Sequence, residues 1–259
     1  MNTEQNNSTT IENIDTKSVM LEIKDLRKSF GDNHVLNGFN LKLYEGENLV
    51  IMGKSGSGKS VMIKCLVGLL QADSGTIKVM GEEINTRNQA DLDKLHTEIG
   101  FLFQGSALYD SMTVRENLEF PLRRNKRKSD TASNMDELVT EALENVGLLH
   151  AIDLMPAELS GGMKRRVALA RTLILKPKII LYDEPTSGLD PITSKEIIEL
   201  MRNVQKQYKT SSLIITHDVD CARVVSERII LLVDGINYAE GTFKELATAT
   251  DSQIKAFFK

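Results

Sequence analysis

A short apolar run, Asn48 to Met52, leads straight into Gly53-Lys54-Ser55-Gly56-Ser57-Gly58-Lys59-Ser60 and then into the helical pattern VMIKCLVGLL. These eight residues fit G-x-x-x-x-G-K-[S/T] at every fixed position, in the strand–loop–helix context that a phosphate cradle requires. Glycines let the backbone wrap closely around an anion and aim N–H groups at it, and the helix that follows adds its positive end. Lys59 is placed to bridge two phosphates, and the Ser60 hydroxyl to ligate Mg²⁺. The plain alternative is a Gly/Ser turn that binds nothing; the flanking strand and helix argue against it.

Around this loop, strands are expected at Met20 to Lys24, Val35 to Leu43, Thr76 to Val79, Ile99 to Phe103, Ile179 to Tyr182, Leu213 to Thr216 and Arg228 to Val233. Helical stretches separate the last three, which predicts a largely parallel sheet with crossovers. The strand at Ile179 ends in Asp183-Glu184. Alternation along a strand sends neighbouring side chains to opposite sides, so the two acids are expected to act separately. Asp183 suits the Mg²⁺ shell, and Glu184 the orientation and deprotonation of an attacking water. A solvated strand end is the alternative for an acidic pair met alone. Together the two motifs predict a P-loop nucleoside triphosphatase without saying which kind, since kinases, GTPases and helicases share them.

Gly105 to about Pro156 breaks the strand rhythm. It holds Val114 to Phe120, the charged stretch RRNKRKSD and an amphipathic helix from Met135 to Val146, and reads as a helical insertion. The polar start MNTEQNNSTTIENIDTKS reads as a disordered tail over residues 1 to 18, and Phe243 to Lys259 as a short helical extension. With 259 residues, the chain suits one domain with an inserted subdomain. A net charge of −4 argues against a general nucleic-acid binder. Cys65 and Cys221, without CxxC spacing, read as buried apolar residues in a reducing compartment. No apolar run reaches the ~18 residues of a spanning helix, so a cytoplasmic location is expected, with any membrane contact made through a partner.

Leu159-Ser160-Gly161-Gly162-Met163 opens the helix KRRVALARTLIL shortly before the acidic strand. Here the sequence resembles the ABC ATPases, whose signature is LSGGQ at a helix start; the resemblance covers roughly residues 20 to 242. It implies an α/β fold: a RecA-like P-loop core with an antiparallel β subdomain and an α-helical subdomain inserted at about 105 to 160, the whole domain spanning 19 to 242. It also implies a head-to-tail dimer of two copies, with Ser160 and Gly162 contacting the γ-phosphate held by the other subunit. Gln104 matches the Q-loop glutamine, Ser187-Gly188-Leu189-Asp190 the D-loop, His217 the switch histidine, and Phe30 the aromatic that stacks on adenine. ATP and Mg²⁺ are the implied ligands. The implied nucleotide contacts are Phe30, Gly53 through Val61 (Gly53, Lys54, Ser55, Gly56, Ser57, Gly58, Lys59, Ser60, Val61), Ser160, Gly161, Gly162 and Asp190. Glu184, His217, Lys59 and Gln104 carry the catalysis, and Ser60, Gln104 and Asp183 the metal.

Met163 departs from the family's usual glutamine and cannot donate a hydrogen bond. LSGGM, together with the stretch from Phe103 to Leu122 (FQGSALYDSMTVRENLEFPL), looks like the ATPases of Mla- and Mce-type lipid transporters. That branch implies integral-membrane permease partners, an Mce-type lipid-binding subunit, phospholipid cargo, and a place at the cytoplasmic face of the inner membrane. Generic bacterial ABC features are the alternative reading of the same residues. The basic run Arg123, Arg124, Lys126, Arg127 and Lys128 reads as a solvated loop, or as a contact for lipid headgroups. Competing readings are another transporter branch (lipoprotein release, amino-acid import or cell division), a non-transport ABC protein acting on ribosomes or DNA, and a P-loop kinase or GTPase.

Overall fold

The structure, a computed structural model, describes residues 17–84, 88–124 and 132–258. Most of the expected tail, and the basic run beyond Arg124, lie outside the described residues.

Two long strands open the chain: β1 (Val19–Phe30) and β2 (Asn33–Tyr44) pair antiparallel. Then come β3 (Asn48–Met52), α1 (Lys59–Leu66), β4 (Ser74–Val79), β5 (Glu82–Glu83), α2 (Gln89–Glu98) and β6 (Ile99–Leu102). A stretch with helices and no strand follows: α3 (Val114–Arg124), α4 (Ala132–Glu144), two short 3₁₀ turns and α5 (Gly161–Leu173). The chain returns to the core through β7 (Ile179–Asp183), α6 (Pro191–Tyr208), β8 (Ser211–Ile215), α7 (Val219–Val225), β9 (Arg228–Val233) and β10 (Ile236–Gly241). Helices α8 (Phe243–Thr248) and α9 (Ser252–Lys255) end it.

The strands form two sheets. One has the order β10-β9-β3-β8-β7-β6, parallel from β9 to β6 with β10 antiparallel at the edge. The other, β2-β1-β4-β5, is antiparallel throughout. Strand alternation divides the core. Leu49 and Ile51 of β3, with Ile179 and Leu181 of β7, face Leu21, Ile23 and Phe39 of the antiparallel sheet and Met62 and Leu66 of α1. Val50, Met52, Ile180 and Tyr182 face the other way, onto Ile197 and Met201 of α6 and Ala222 of α7. A strand buried on both faces has no polar positions, which is why LVIM and IILY read as continuous apolar runs. A third core joins α3, α4 and α5 through Val114, Leu118, Val139, Leu143 and Val167. Thr113 and Glu116 cap α3 reciprocally: Thr113 N–H donates to Glu116 Oε2 at 2.8 Å, and Glu116 N–H to Thr113 Oγ1 at 3.2 Å.

Several elements differ from the sequence reading. β1 runs on to Phe30 because its register shifts after Ile23, absorbing the polar stretch that had seemed to end it. α1 stops at Leu66, since Gly68 takes φ +75°; beyond it Leu69 is exposed rather than helical. β5, β10 and α2 lie beyond the sequence expectations. β5 is two glutamates, and β10 alternates half-buried Asn, Ala and Gly with exposed or half-exposed neighbours, so neither carries an apolar strand pattern. Asn237 Nδ2 donates to Asn40 O at 2.6 Å, tying β10 to β2 and so one sheet to the other. Both cysteines are buried and unbonded, and burial pushes their thiols up to about 11 for Cys65 and about 12 for Cys221. Among the described residues no helix is long and apolar enough to cross a membrane.

Candidate functional site

The phosphate loop sits where β3 ends and α1 begins. Gly58 caps α1 with φ 103°, a backbone angle open to glycine and strained for other residues, and a Cβ there would lie 2.9 Å from Val35 O. No side chain caps this helix, which leaves its first N–H groups for an anion. Lys59, 9% exposed, bends back along the loop: its Nζ donates to Gly53 O at 2.6 Å and Lys54 O at 2.9 Å. Burial lowers its affinity for a proton, while the charges of Glu184 and Asp183 work against that shift.

An open cleft of about 560 Å³ lies over the loop, lined by Val35, Ser55, Gly56, Gly58, Lys59, Ser60, Val61, Gln104, Asp183, Glu184, Ile215 and His217. The structure thus gathers ten of the expected residues in one place. Lys54 and Ser57 line a second cleft of about 520 Å³, together with Asp234, Gln253 and Phe257. Gly53 is buried, and a Cβ on it would meet Ser57 Oγ at 2.4 Å. Phe30 lines neither cleft; it is 51% exposed at the end of β1, with Lys28 Nζ 5.5 Å from its ring centre.

Asp183 and Glu184 do not point apart as alternation predicts; both line the same cleft. The reason is local. β7 ends at Asp183, and Glu184 takes φ 49°, a left-handed turn held by its N–H donating to Ile215 O at 2.8 Å. Such a conformation in a non-glycine residue persists only where neighbours enforce it. Glu184 Oε2 lies 2.8 Å from His217 Nδ1 and accepts from His217 N–H at 3.4 Å. Burial, and the negative charge of Glu184 beside it, hold the Asp183 carboxyl above the usual range. A cation bound there would relieve both effects. Among the described residues no three His, Cys, Asp or Glu side chains form a metal cage. The available donors are one carboxylate, a hydroxyl and a carboxamide (Asp183, Ser60 and Gln104). Such hard oxygens fit Mg²⁺, which is commonly held by one or two carboxylates and the substrate's own phosphates.

The signature residues stand apart from this cleft. Ser160 caps α5, its Oγ accepting from Met163 N–H at 3.2 Å, and Gly161 and Gly162 form the first turn. The Met163 side chain packs against the helical core of α3, α4 and α5, a place where a thioether serves better than an amide. Asp190 is also away from the cleft. Its Oδ1 accepts from Ile192 and Thr193 N–H, both at 3.0 Å, and its Oδ2 from the Thr193 hydroxyl at 2.5 Å. Both of its oxygens therefore take part in capping α6, and these hydrogen bonds hold its carboxyl below the usual range.

Three residues that sequence reasoning passed over organise the surroundings. Arg165 donates to Phe103 O at 2.7 Å. Arg171 donates to Ala107 O at 2.9 Å, in a segment where Ser106 and Ala107 both have positive φ. Asn117, wholly buried, bonds the backbone of Tyr109, Met112 and Thr113. Helical phase does not flag the two arginines, because Val167 to Ala170 are buried in succession and α5 has no single buried face.

Comparison with known proteins bears on the family and the fold. The family described as ABC transporter matches residues 36–187. The chain is 39% identical over 236 residues to the methionine import ATP-binding protein MetN of Clostridium tetani, covering 91% of this chain and 73% of that one. It is 38% identical over 255 residues to the chloroplastic protein TRIGALACTOSYLDIACYLGLYCEROL 3 of Arabidopsis thaliana, covering 92% and 73%. Among solved structures, the ATP-binding cassette MJ0796, a dimer in a post-hydrolysis state with ADP and phosphate, superposes with a TM-score of 0.78. It shares 33% identity, covering 86% of this chain and 99% of that one. A family match over more than half the chain, joined to a superposition over nearly all of a solved cassette, leads to one conclusion: the chain belongs to the ABC transporter family and is one of its ATP-hydrolysing subunits.

Proposed function

We propose that this ATPase works as half of a head-to-tail dimer that binds two ATP at the shared interface and drives an integral-membrane permease moving phospholipid between membranes. The observation that carries the dimer reading is the make-up of the phosphate cleft: it holds the phosphate loop, Gln104, both acids and His217, and nothing from Leu159–Met163. A signature turn at the head of α5 is then left for an anion held by another copy. In that dimer Lys59 and His217 offset charge on the transferring phosphoryl group, and Glu184 takes the proton of the attacking water. Asp183, Ser60 and Gln104 would hold Mg²⁺, whose charge offsets that of the phosphates. Phe30, exposed at the strand end, offers a face for adenine.

Residues 19 to 242 form the ATPase domain in this reading, with 243 to 259 as an extension. The site of action is the cytoplasmic face of the inner membrane, reached through the permease, with an Mce-type lipid-binding subunit as a further partner. Met163, the stretch from Phe103 to Leu122 and a relative named for a galactolipid support lipid cargo. The relative named for methionine import favours a second reading, an amino-acid importer.

Glu184→Gln tests the chemistry and the dimer together. ATP binding should persist, hydrolysis should fall about 10²–10⁴-fold, and ATP should double the mass in solution. Turnover near the parent rate would remove Glu184 from its role, and an ATP-loaded monomer would remove the dimer. For the cargo, the tagged chain is purified from gently solubilised membranes. A permease with an Mce-domain partner and bound phospholipid supports the lipid reading, whereas an amino-acid permease replaces it.

A further inference from the structure

Behind the cleft three segments meet at one buried side chain. Arg165, in the second turn of α5, is 4% exposed. Its Nη1 donates to Phe103 O at 2.7 Å and its Nη2 to Ser187 O at 3.4 Å. Phe103 immediately precedes Gln104, and Gln104 Nε2 donates to the Oγ of the same Ser187 at 3.3 Å. A closed circuit of hydrogen bonds therefore links the signature helix, the end of β6 and the loop between β7 and α6. That loop and the first turn of α6 also back onto the signature glycines. A Cβ on Gly161 would stand 3.6 Å from Leu189, and one on Gly162 2.5 Å from the Thr193 methyl. The signature turn and residues 187 to 193 thus form one packed body, and Arg165 ties that body to Gln104.

A guanidinium is a costly way to fill a buried position. The bonds it makes here go to neutral carbonyls, and its Nε is buried with no partner. The carboxylate that acts on it is Asp183, through charge alone, and burial outweighs that attraction. An apolar side chain of similar volume would fill the same space without the desolvation cost. What the arginine adds is direction: two donors fixed in one plane, each holding a different loop.

We propose that Arg165 is a positioning residue that sets the signature end of α5 against Gln104 and Ser187, so that the surface offered to a second copy and the hydrolytic cleft move together. This rests on the dimer reading above. The test uses the full chain carrying R165M, with R165K as a second variant that keeps the charge should R165M fail to fold. Binding of a fluorescent ATP analogue should stay within about twofold of the parent, while turnover falls about tenfold, a loss ordinary for uncoupled sites. In the E184Q background, R165M should need about tenfold more ATP to form the dimer, and R165K should recover part of the loss. A purely structural role would lower ATP affinity and turnover in proportion, and that result would overturn the proposal. So would R165M/E184Q dimerising like its E184Q parent. An E184Q parent that stays monomeric with ATP would overturn the dimer reading, and this inference with it.

Discussion

Replacing Asn117 by alanine should cost the fold about 3 kcal/mol. Its Oδ1 accepts from Tyr109 N–H at 2.8 Å, and its Nδ2 lies 3.1 Å from Tyr109 O, 3.0 Å from Met112 O and 3.0 Å from Thr113 O. An amide nitrogen has two hydrogens, so three carbonyls share two bonds, and the side chain closes three hydrogen bonds to the backbone in all. Tyr109 O also receives Met112 N–H at 3.1 Å, and Thr113 O receives Asn117 N–H at 2.9 Å. Tyr109 N–H and Met112 O are therefore the groups that depend most on the amide. A typical intramolecular hydrogen bond contributes about 1 kcal/mol net, which gives the total of about 3 kcal/mol. For a chain of this length each kcal/mol moves Tm by roughly 2–4 °C, so N117A should melt about 6–12 °C lower. The assay is calorimetric or dye-based melting of the nucleotide-free protein, with hydrolysis measured well below the melting point. Since Asn117 does not line the phosphate cleft, hydrolysis there should stay near the parent level. A Tm drop under about 2 °C would refute the assignment of these bonds as the staple of residues 105 to 113.

Two further substitutions test the site's packing and charge. G162A drives a Cβ to 2.5 Å from Thr193 Cγ2, and Thr193 cannot turn away without releasing Asp190 Oδ2. A loss of about 1–3 kcal/mol is expected on melting, and G162A/T193S, which removes that methyl and keeps the hydroxyl, should recover most of it. A double variant no better than G162A would show that the clash lies elsewhere. D183N bears on pH. The folded carboxyl holds its proton more tightly than the unfolded one, so its ionisation costs stability as pH rises from the usual carboxylate range through the raised folded pKa. Without nucleotide, D183N should therefore melt above the parent at about pH 7, with the gain fading toward about pH 4; a gain equal at both would contradict the raised pKa.

The residues that spacing assigned to the site converge for one topological reason. Lys59 follows β3, Gln104 follows β6, Asp183 ends β7 and His217 follows β8, and these four strands are neighbours in the parallel part of one sheet. In an open parallel sheet ligands bind beyond the carboxyl ends of the strands, so a sequence that marks those ends marks the site. What spacing does not carry is the path of the chain after a strand stops. Alternation holds through Tyr182 and fails one step past Asp183, because the left-handed turn at Glu184 brings both acids to one cleft. Asp190, matched to a motif, also caps its own helix, a common use of an Asp before Pro-Ile-Thr at a helix start. Nor does spacing show hydrogen bonds between distant loops, such as Arg165 reaching Phe103 across 62 residues. Within Lys164-Arg165-Arg166 the run looks uniform, and helical phase does not separate its members, since Val167 through Ala170 are all buried. Lys164, Arg165 and Arg166 each stand three and four residues before buried positions, yet Arg165 is buried with its donors on Phe103 O and Ser187 O, while Arg166 is partly exposed, pairs with Glu196 at 2.6 Å and also donates to Val146 O at 3.3 Å. A basic run at the start of a helix packed on several sides is therefore sorted by the partners each head finds, carboxylate or backbone, and the backbone bonds mark which loops the helix holds.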